Sequence, residues 1–176
     1  LLIIVFFIIF GNFLYSSQKL RLKNVLIARN FIVAFGFGML GFLIGFGGVS
    51  SITKAPLWIL LFFFMNDFFS NVTKDLKDYK IHKKMPEMMT LPKKIGIKKA
   101  TLVFFSFYEI TFVIPAILIV FNLISPSFLI LPYYGSLAGV TIYLPVIKDP
   151  TKANQAYYLA VLHWIIIRIL TVLTMS

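Results

Sequence analysis

Long apolar runs separated by short polar breaks dominate the chain. Six runs stand out, at about 1–16, 25–47, 55–70, 100–122, 127–147 and 154–174. Each is long enough, or nearly so, for a helix rising 1.5 Å per residue to cross roughly 30 Å of hydrocarbon. A segment in lipid must satisfy its own backbone hydrogen bonds, so runs of this length predict helices. The pattern predicts an all-α integral membrane protein with six transmembrane helices. Gly36, Gly38, Gly41 and Gly45 thin the second run, and the Gly41/Gly45 spacing predicts a close helix–helix approach there. Pro115, Pro132 and Pro145 predict kinks or interruptions in the fourth and fifth runs. No internal repeat and no soluble domain stands out.

Composition agrees with the pattern. The 176 residues are 60% apolar and 13% charged, with a mean hydropathy of +0.93. A soluble domain is about one quarter charged, and it could not hide twenty Phe behind a polar surface. Cysteine is absent, which excludes disulfides and thiolate metal sites. The net charge of +11 does not point to nucleic acid. Its lysines lie between apolar runs, where the positive-inside rule and anionic membrane lipid account for most of them. Fourteen of the seventeen basic residues fall in the first, third and fifth connections, nine of them in the third. Those connections are expected on the cytoplasmic side, which puts both ends of the chain as given outside. The opening Leu1-Leu2-Ile3-Ile4 has neither an initiator Met nor a basic leader, and predicts a chain cut inside a hydrophobic segment.

Chemistry concentrates in the third connection, about 71–99. Asp75 and Asp78 stand three apart and His82 follows four residues on, so a helix continuing past the third run would align them on one face. Asn71 and Lys74 border that face. Carboxylates ringed by lysines suit a magnesium diphosphate, because oxygen ligands hold Mg²⁺ and ammonium groups neutralise the remaining phosphate charge. A lysine-rich loop at a membrane surface is more often a solvated loop that sets orientation. Inside the runs, Glu109 is an expensive acid that either faces a cavity or hydrogen-bonds a neighbouring helix. Asp67 is expected at the end of the third span, Arg168 is expected to snorkel outward, and His163 to be packed and satisfied.

The order of residues carries more than their number. Lys74-Asp75-Leu76-Lys77-Asp78, then Thr90-Leu91-Pro92-Lys93-Lys94-Ile95-Gly96 and Lys98-Lys99-Ala100, resembles the second Asp-rich region of UbiA-type intramembrane prenyltransferases. In that family the stretch reads K-D-x-x-D-x-x-G-D, a basic link, then T-L-P-x-x-x-G. Tyr15-Ser16-Ser17-Gln18-Lys19 resembles the family's Y-x-x-x-K signature, Arg29-Asn30 opens the next span, and Asp149-Pro150-Thr151-Lys152-Ala153 matches the stretch before the last helix. The resemblance covers the whole chain and is closest in form to the archaeal branch that makes digeranylgeranylglyceryl phosphate. It implies a nine-helix bundle, of which residues 1–176 are the C-terminal two thirds with the three N-terminal helices missing. The second Asp-rich motif then lies in the cytoplasmic loop 71–99. Three departures stand out: the first Asp-rich motif is absent, Ile81-His82 replaces Gly-Asp, and Ser70-Asn71 stands where relatives often carry Arg-Glu. A neutral His is a poorer Mg²⁺ ligand than a carboxylate.

What the resemblance implies is Mg²⁺-dependent transfer of a prenyl group from an allylic prenyl diphosphate to a lipophilic acceptor. On that basis Asp75, Asp78 and, weakened, His82 are the metal residues. Lys74, Lys83, Lys84, Lys94 and Asn71 receive the diphosphate, and Tyr15, Ser16, Lys19, Asn30 and Glu109 meet the substrates. With one motif missing, these residues alone are expected to be inactive. Two other readings stay open: a degenerate relative that only binds lipid or a partner, and an unrelated transporter subunit. Transporters place coupling charges near the bilayer midplane, where the sequence offers only Glu109.

Overall fold

The structure, a computed structural model, describes residues 6, 9–11, 13, 15–17, 28–48 and 50–175. Every regular element among these is helical. The described positions between 6 and 16 are helical, and Lys19 lies outside the described residues. Helix α1 spans Ala28–Gly47, with a π-helical stretch at Ala34–Leu40 between two α-helical segments. Then come α2 (Leu57–Lys77), two short helices α3 (Tyr79–Lys83) and α4 (Leu91–Ile95), and the long α5 (Ile97–Val120). The chain ends with α6 (Ile130–Lys148) and α7 (Ala153–Met175), each entered through a single 3-10 turn.

Local chemistry sets several of these boundaries. Pro92 sits in the first turn of α4, where its missing N–H is not needed. Gly96, with φ of 84°, reverses the chain between α4 and α5 in a backbone region that favours glycine. Asp149 Oδ1 accepts from the Thr151 N–H at 3.0 Å and holds the turn that leads into α7.

Among the described residues, four helices are long and apolar enough to cross a membrane: Ala28–Gly47, Ile97–Val120, Pro126–Lys148 and Pro150–Met175. They mark the chain as a membrane protein. Their outward faces carry bare apolar side chains such as Val120 and Tyr133, 76% and 77% exposed, which suits contact with lipid tails. Helix α2 differs. It is long enough at 21 residues, but Asn66, Asp67, Thr73 and Asp75 interrupt its apolar surface. Its neighbours explain why it tolerates them. It packs against α1, α5 and α7 at once, and those four polar residues are all buried against protein.

Helices α5 and α6 run on through Pro115, Pro132 and Pro145 without interruption, and a π-helical stretch lies in the glycine-rich part of α1. Close approach uses glycines other than the expected Gly41 and Gly45. At Gly38 a Cβ would stand 2.8 Å from the Phe63 carbonyl oxygen of α2, whereas nothing lies within 4 Å at Gly45. Between α5 and α6 the contact is made at Gly135, which faces the Phe112 ring, and at Gly139, which faces Tyr108 and Glu109. In lipid no water is released when helices meet, so such close van der Waals packing and interhelical hydrogen bonds supply the association. Tyr143 adds one, donating to the Phe69 carbonyl at 3.3 Å from a fully buried position.

Gly38→Ala is expected to destabilise the bundle by about 1–3 kcal/mol, because backbone cannot retreat as a flexible side chain could. Gly45→Ala is expected to be neutral or slightly stabilising. Thermal unfolding of the two variants in detergent checks the difference.

Candidate functional site

Helices α1, α2 and α7, with Phe10, Gly11 and Tyr15, line an open cavity of about 840 Å³. Its register follows from two contacts. Arg29 at the start of α1 pairs with Asp75 near the end of α2, and Gly38 further along α1 meets Phe63 and Asp67. The cavity therefore has two different ends. Asn30, Lys74 and the Arg29–Asp75 pair stand at one end, Asp67 with Trp164 at the other, and Tyr15, Asn71 and the apolar Phe31, Phe35 and Leu40 also line the space. Asp75 and Asp67 are eight residues apart on α2, about 12 Å along the axis.

The polar end is positively biased. Asp75 is 2% exposed and Arg29 14% exposed in their side chains, so the pair is shielded from water and its attraction is offset by the cost of desolvation. Burial pushes the Asp75 carboxyl above its usual range, against the pull of Arg29. Lys74 is exposed and lies in neither ion pair found among the described residues. Asn30 is buried at this end, and Asn71 donates to the Asp67 carbonyl at 2.8 Å.

The deep end is a second charge cluster. Asp67 Oδ2 takes a hydrogen bond from Arg168 at 2.9 Å, and Oδ1 takes one from Trp164 Nε1 at 2.5 Å. The Arg168 guanidinium also reaches the Phe37 carbonyl at 3.3 Å and lies over the Trp164 and Phe63 rings at 4.1 and 4.8 Å. Helix α2 runs to Lys77, so Asp67 falls in the middle of the helix. One expectation is corrected here: Arg168 turns inward to that carboxylate and does not snorkel.

Other candidates separate from the cavity. Asp78 is the residue that ends α2, and α3 begins after it, so Asp75, Asp78 and His82 do not share a continuous helical face. His82 is buried with Nδ1 unpartnered among the described residues. Burial holds its pKa below the usual 6.5, against the attraction of Asp75. Lys83 and Lys84 line a shallow outer groove with Ile81 and Met85, Lys94 is exposed on α4, and Ser16 is exposed. Glu109 sits between α5 and α6 against Gly139, and its Oε1 has no partner among the described residues. His163 is packed and satisfied: Nδ1 lies 2.5 Å from the Tyr134 hydroxyl and Nε2 3.2 Å from that of Thr141.

No family model matches the chain, and no curated protein or solved structure matches it. Fit to a metal can be judged from the side chains themselves. Among the described residues no group of three or more His, Cys, Asp or Glu comes together. Asp75 already satisfies Arg29, and a hard cation such as Mg²⁺ needs several oxygen ligands. The described residues do not make a Mg²⁺ site by themselves. Trp164 and Tyr157 are cavity residues that carry no sequence motif. The one signal for Trp164 was that an intramembrane Asp67 requires a partner.

Removing one member of the deep pair leaves a buried charge without compensation. Arg168→Gln is expected to cost about 3–5 kcal/mol, and Asp67→Asn/Arg168→Gln to recover most of it; a thermal double-mutant cycle in detergent measures both. The second expectation concerns pH. A depressed His pKa contributes stability that is present above 6.5 and is lost as pH falls through the folded value. Asp75, raised, acts in the opposite sense. On acidification from about pH 7.5 to about pH 5, the protection of amides over 79–90, taken relative to their intrinsic exchange rates, is therefore expected to fall more in wild type than in His82→Gln, and that difference isolates the His82 part.

Proposed function

We propose that the cavity binds a lipid bearing an anionic head, and that the protein acts in prenyl transfer from an allylic diphosphate to a lipophilic acceptor. One observation carries this reading: the cavity is apolar along its wall and cationic at one end, where Arg29 and Lys74 stand. An isoprenoid diphosphate has the complementary form, an apolar chain with a compact, multiply charged head. Guanidinium and ammonium groups bind such heads through charge-assisted hydrogen bonds. The resemblance of Lys74–Asp78 and Thr90–Gly96 to the second Asp-rich region of the UbiA-type enzymes supports the same ligand class. With it come the six-span, nine-helix arrangement, the cytoplasmic placement of 71–99 in the cell membrane, and Mg²⁺.

In this reading the C1–O bond of the allylic diphosphate breaks with its electron pair leaving on the diphosphate. The acceptor's nucleophile bonds to C1 and releases a proton. Arg29 and Lys74 stabilise the departing charge, Asp75 holds the Arg29 guanidinium in the cavity wall, and the Phe31/Phe35 wall keeps water from the allylic carbon. Mg²⁺ would lend further charge stabilisation. Since the described residues fall short of holding it, no step is assigned to it.

A second reading is favoured by the Arg29–Asp75 pair. An arginine that neutralises the motif's carboxylate suits a relative that binds the lipid without turning it over. A coupling role for Asp67 in transport is disfavoured, because both carboxylate oxygens are already bonded by Arg168 and Trp164.

The test is binding and transfer by the full-length protein in detergent with radiolabelled geranylgeranyl diphosphate and geranylgeranylglyceryl phosphate. Arg29→Gln is expected to weaken diphosphate binding by at least about tenfold, the scale of one lost charge-assisted contact. Asp75→Ala/Asp78→Ala is expected to abolish transfer. Full activity in that double variant would refute the site, and binding without transfer in wild type would select the second reading.

A further inference from the structure

The segment between α2 and α5 has an outer face that the cavity does not use. It follows Lys77, whose ammonium lies 4.2 and 5.3 Å from the Tyr157 and Tyr158 rings, and it leads into α5, a helix long and apolar enough to cross the membrane. Residues 79–95 are thus at the level where crossing helices leave the hydrocarbon, with tyrosines of the kind that mark this boundary. On their outer face, Ile81, Met85 and Met89 are 55%, 39% and 54% exposed. Lys80, Lys83 and Lys84 are exposed among them, and Glu87 is the one acid between 79 and 99. None of these lysines is in an ion pair with a described residue.

The turn that presents the methionines is held from inside. Lys93 Nζ donates to the Met85 carbonyl at 2.6 Å and the Met88 carbonyl at 3.0 Å, which folds 85–89 back over α4. Lys93 is therefore spent on shape, and the other lysines are free to meet charge. Interleaved lysines and apolar side chains make an interfacial surface. The apolar groups enter the acyl boundary while the ammonium groups meet phosphate.

We infer that residues 79–89 form a docking surface for the anionic phospholipid of the surrounding leaflet, with Ile81, Met85 and Met89 seated in the interface and Lys80, Lys83 and Lys84 on the headgroup phosphates. The surface works independently of what the cavity binds. It gives Lys83 and Lys84 a role outside the diphosphate site.

Because the chain has no cysteine, Met89→Cys supplies a unique position for the environment-sensitive dye NBD. The full chain is reconstituted in vesicles of phosphatidylcholine alone, or with about 30 mol% phosphatidylglycerol, enough to give a negative surface. Phosphatidylglycerol is expected to shift NBD emission to the blue, and about 0.5 M salt to reverse the shift by screening. A lysine near an anionic surface favours seating about fivefold. Lys80→Gln/Lys83→Gln/Lys84→Gln is therefore expected to lower the seating equilibrium constant about a hundredfold and bring emission to its phosphatidylcholine value. Emission that is the same in both vesicle types overturns the inference, as does a response that survives the triple substitution. A blue shift produced by soluble pyrophosphate in phosphatidylcholine vesicles also overturns it, since the lysines would then serve a free anion and not the leaflet. None of these outcomes depends on prenyl transfer.

Discussion

The carboxylate of Asp67 has to be paired, and much of the bundle is arranged around that requirement. An isolated ionised group in a low-dielectric interior costs several kcal/mol even after relaxation. Here both oxygens are taken, one by Arg168 and one by Trp164, with Arg168 also anchored to the Phe37 carbonyl of α1. One side chain on α2 thereby ties α7 directly and α1 through the arginine. The π-helical stretch of α1 spans Ala34–Leu40 and includes Phe37, the residue whose carbonyl Arg168 reaches. An irregular turn is tolerable at membrane depth where other protein groups satisfy the backbone.

A helix that carries such a residue has to be surrounded. This is why α2, the least apolar of the long helices, occupies the centre, touched by α1, α5 and α7. Glycines make room for its neighbours: Gly38 brings α1 against the Phe63 backbone, and Gly135 and Gly139 bring α6 against α5. Between α1, α2 and α7 the packing leaves the cavity, whose two ends are set by Asp75 and Asp67 on the same helix. The asymmetry is electrostatic. At the deep end the acid is fully partnered, while at the other Arg29 and Lys74 outnumber Asp75, which leaves positive charge facing the cavity.

The apolar runs showed where helices form, since length and hydropathy alone decide whether a segment can satisfy its backbone in lipid. They left open whether the helix of the third run continues past residue 70, because Asn71, Thr73 and Lys74 look like loop when neighbours are unknown; it runs to Lys77, with Asp67 at its midpoint. The site was legible in part. Tyr15, Asn30, Asn71, Lys74 and Asp75 all line one cavity. Lys83, Lys84, Lys94 and Glu109 do not, because a new helix starts after Asp78 and turns the lysines outward, and because Glu109 faces α6.

Sequence by itself determined that this chain is helical and suited to a membrane, and which stretch concentrates its ionisable groups; these follow from local hydropathy and charge order. Only the tertiary structure decided the partners of those groups. Arg29 lies 46 residues from Asp75, and Arg168 lies 101 residues from Asp67. No local pattern encodes pairings over such separations. They follow from the cost of an unpaired charge once helix packing brings the side chains together.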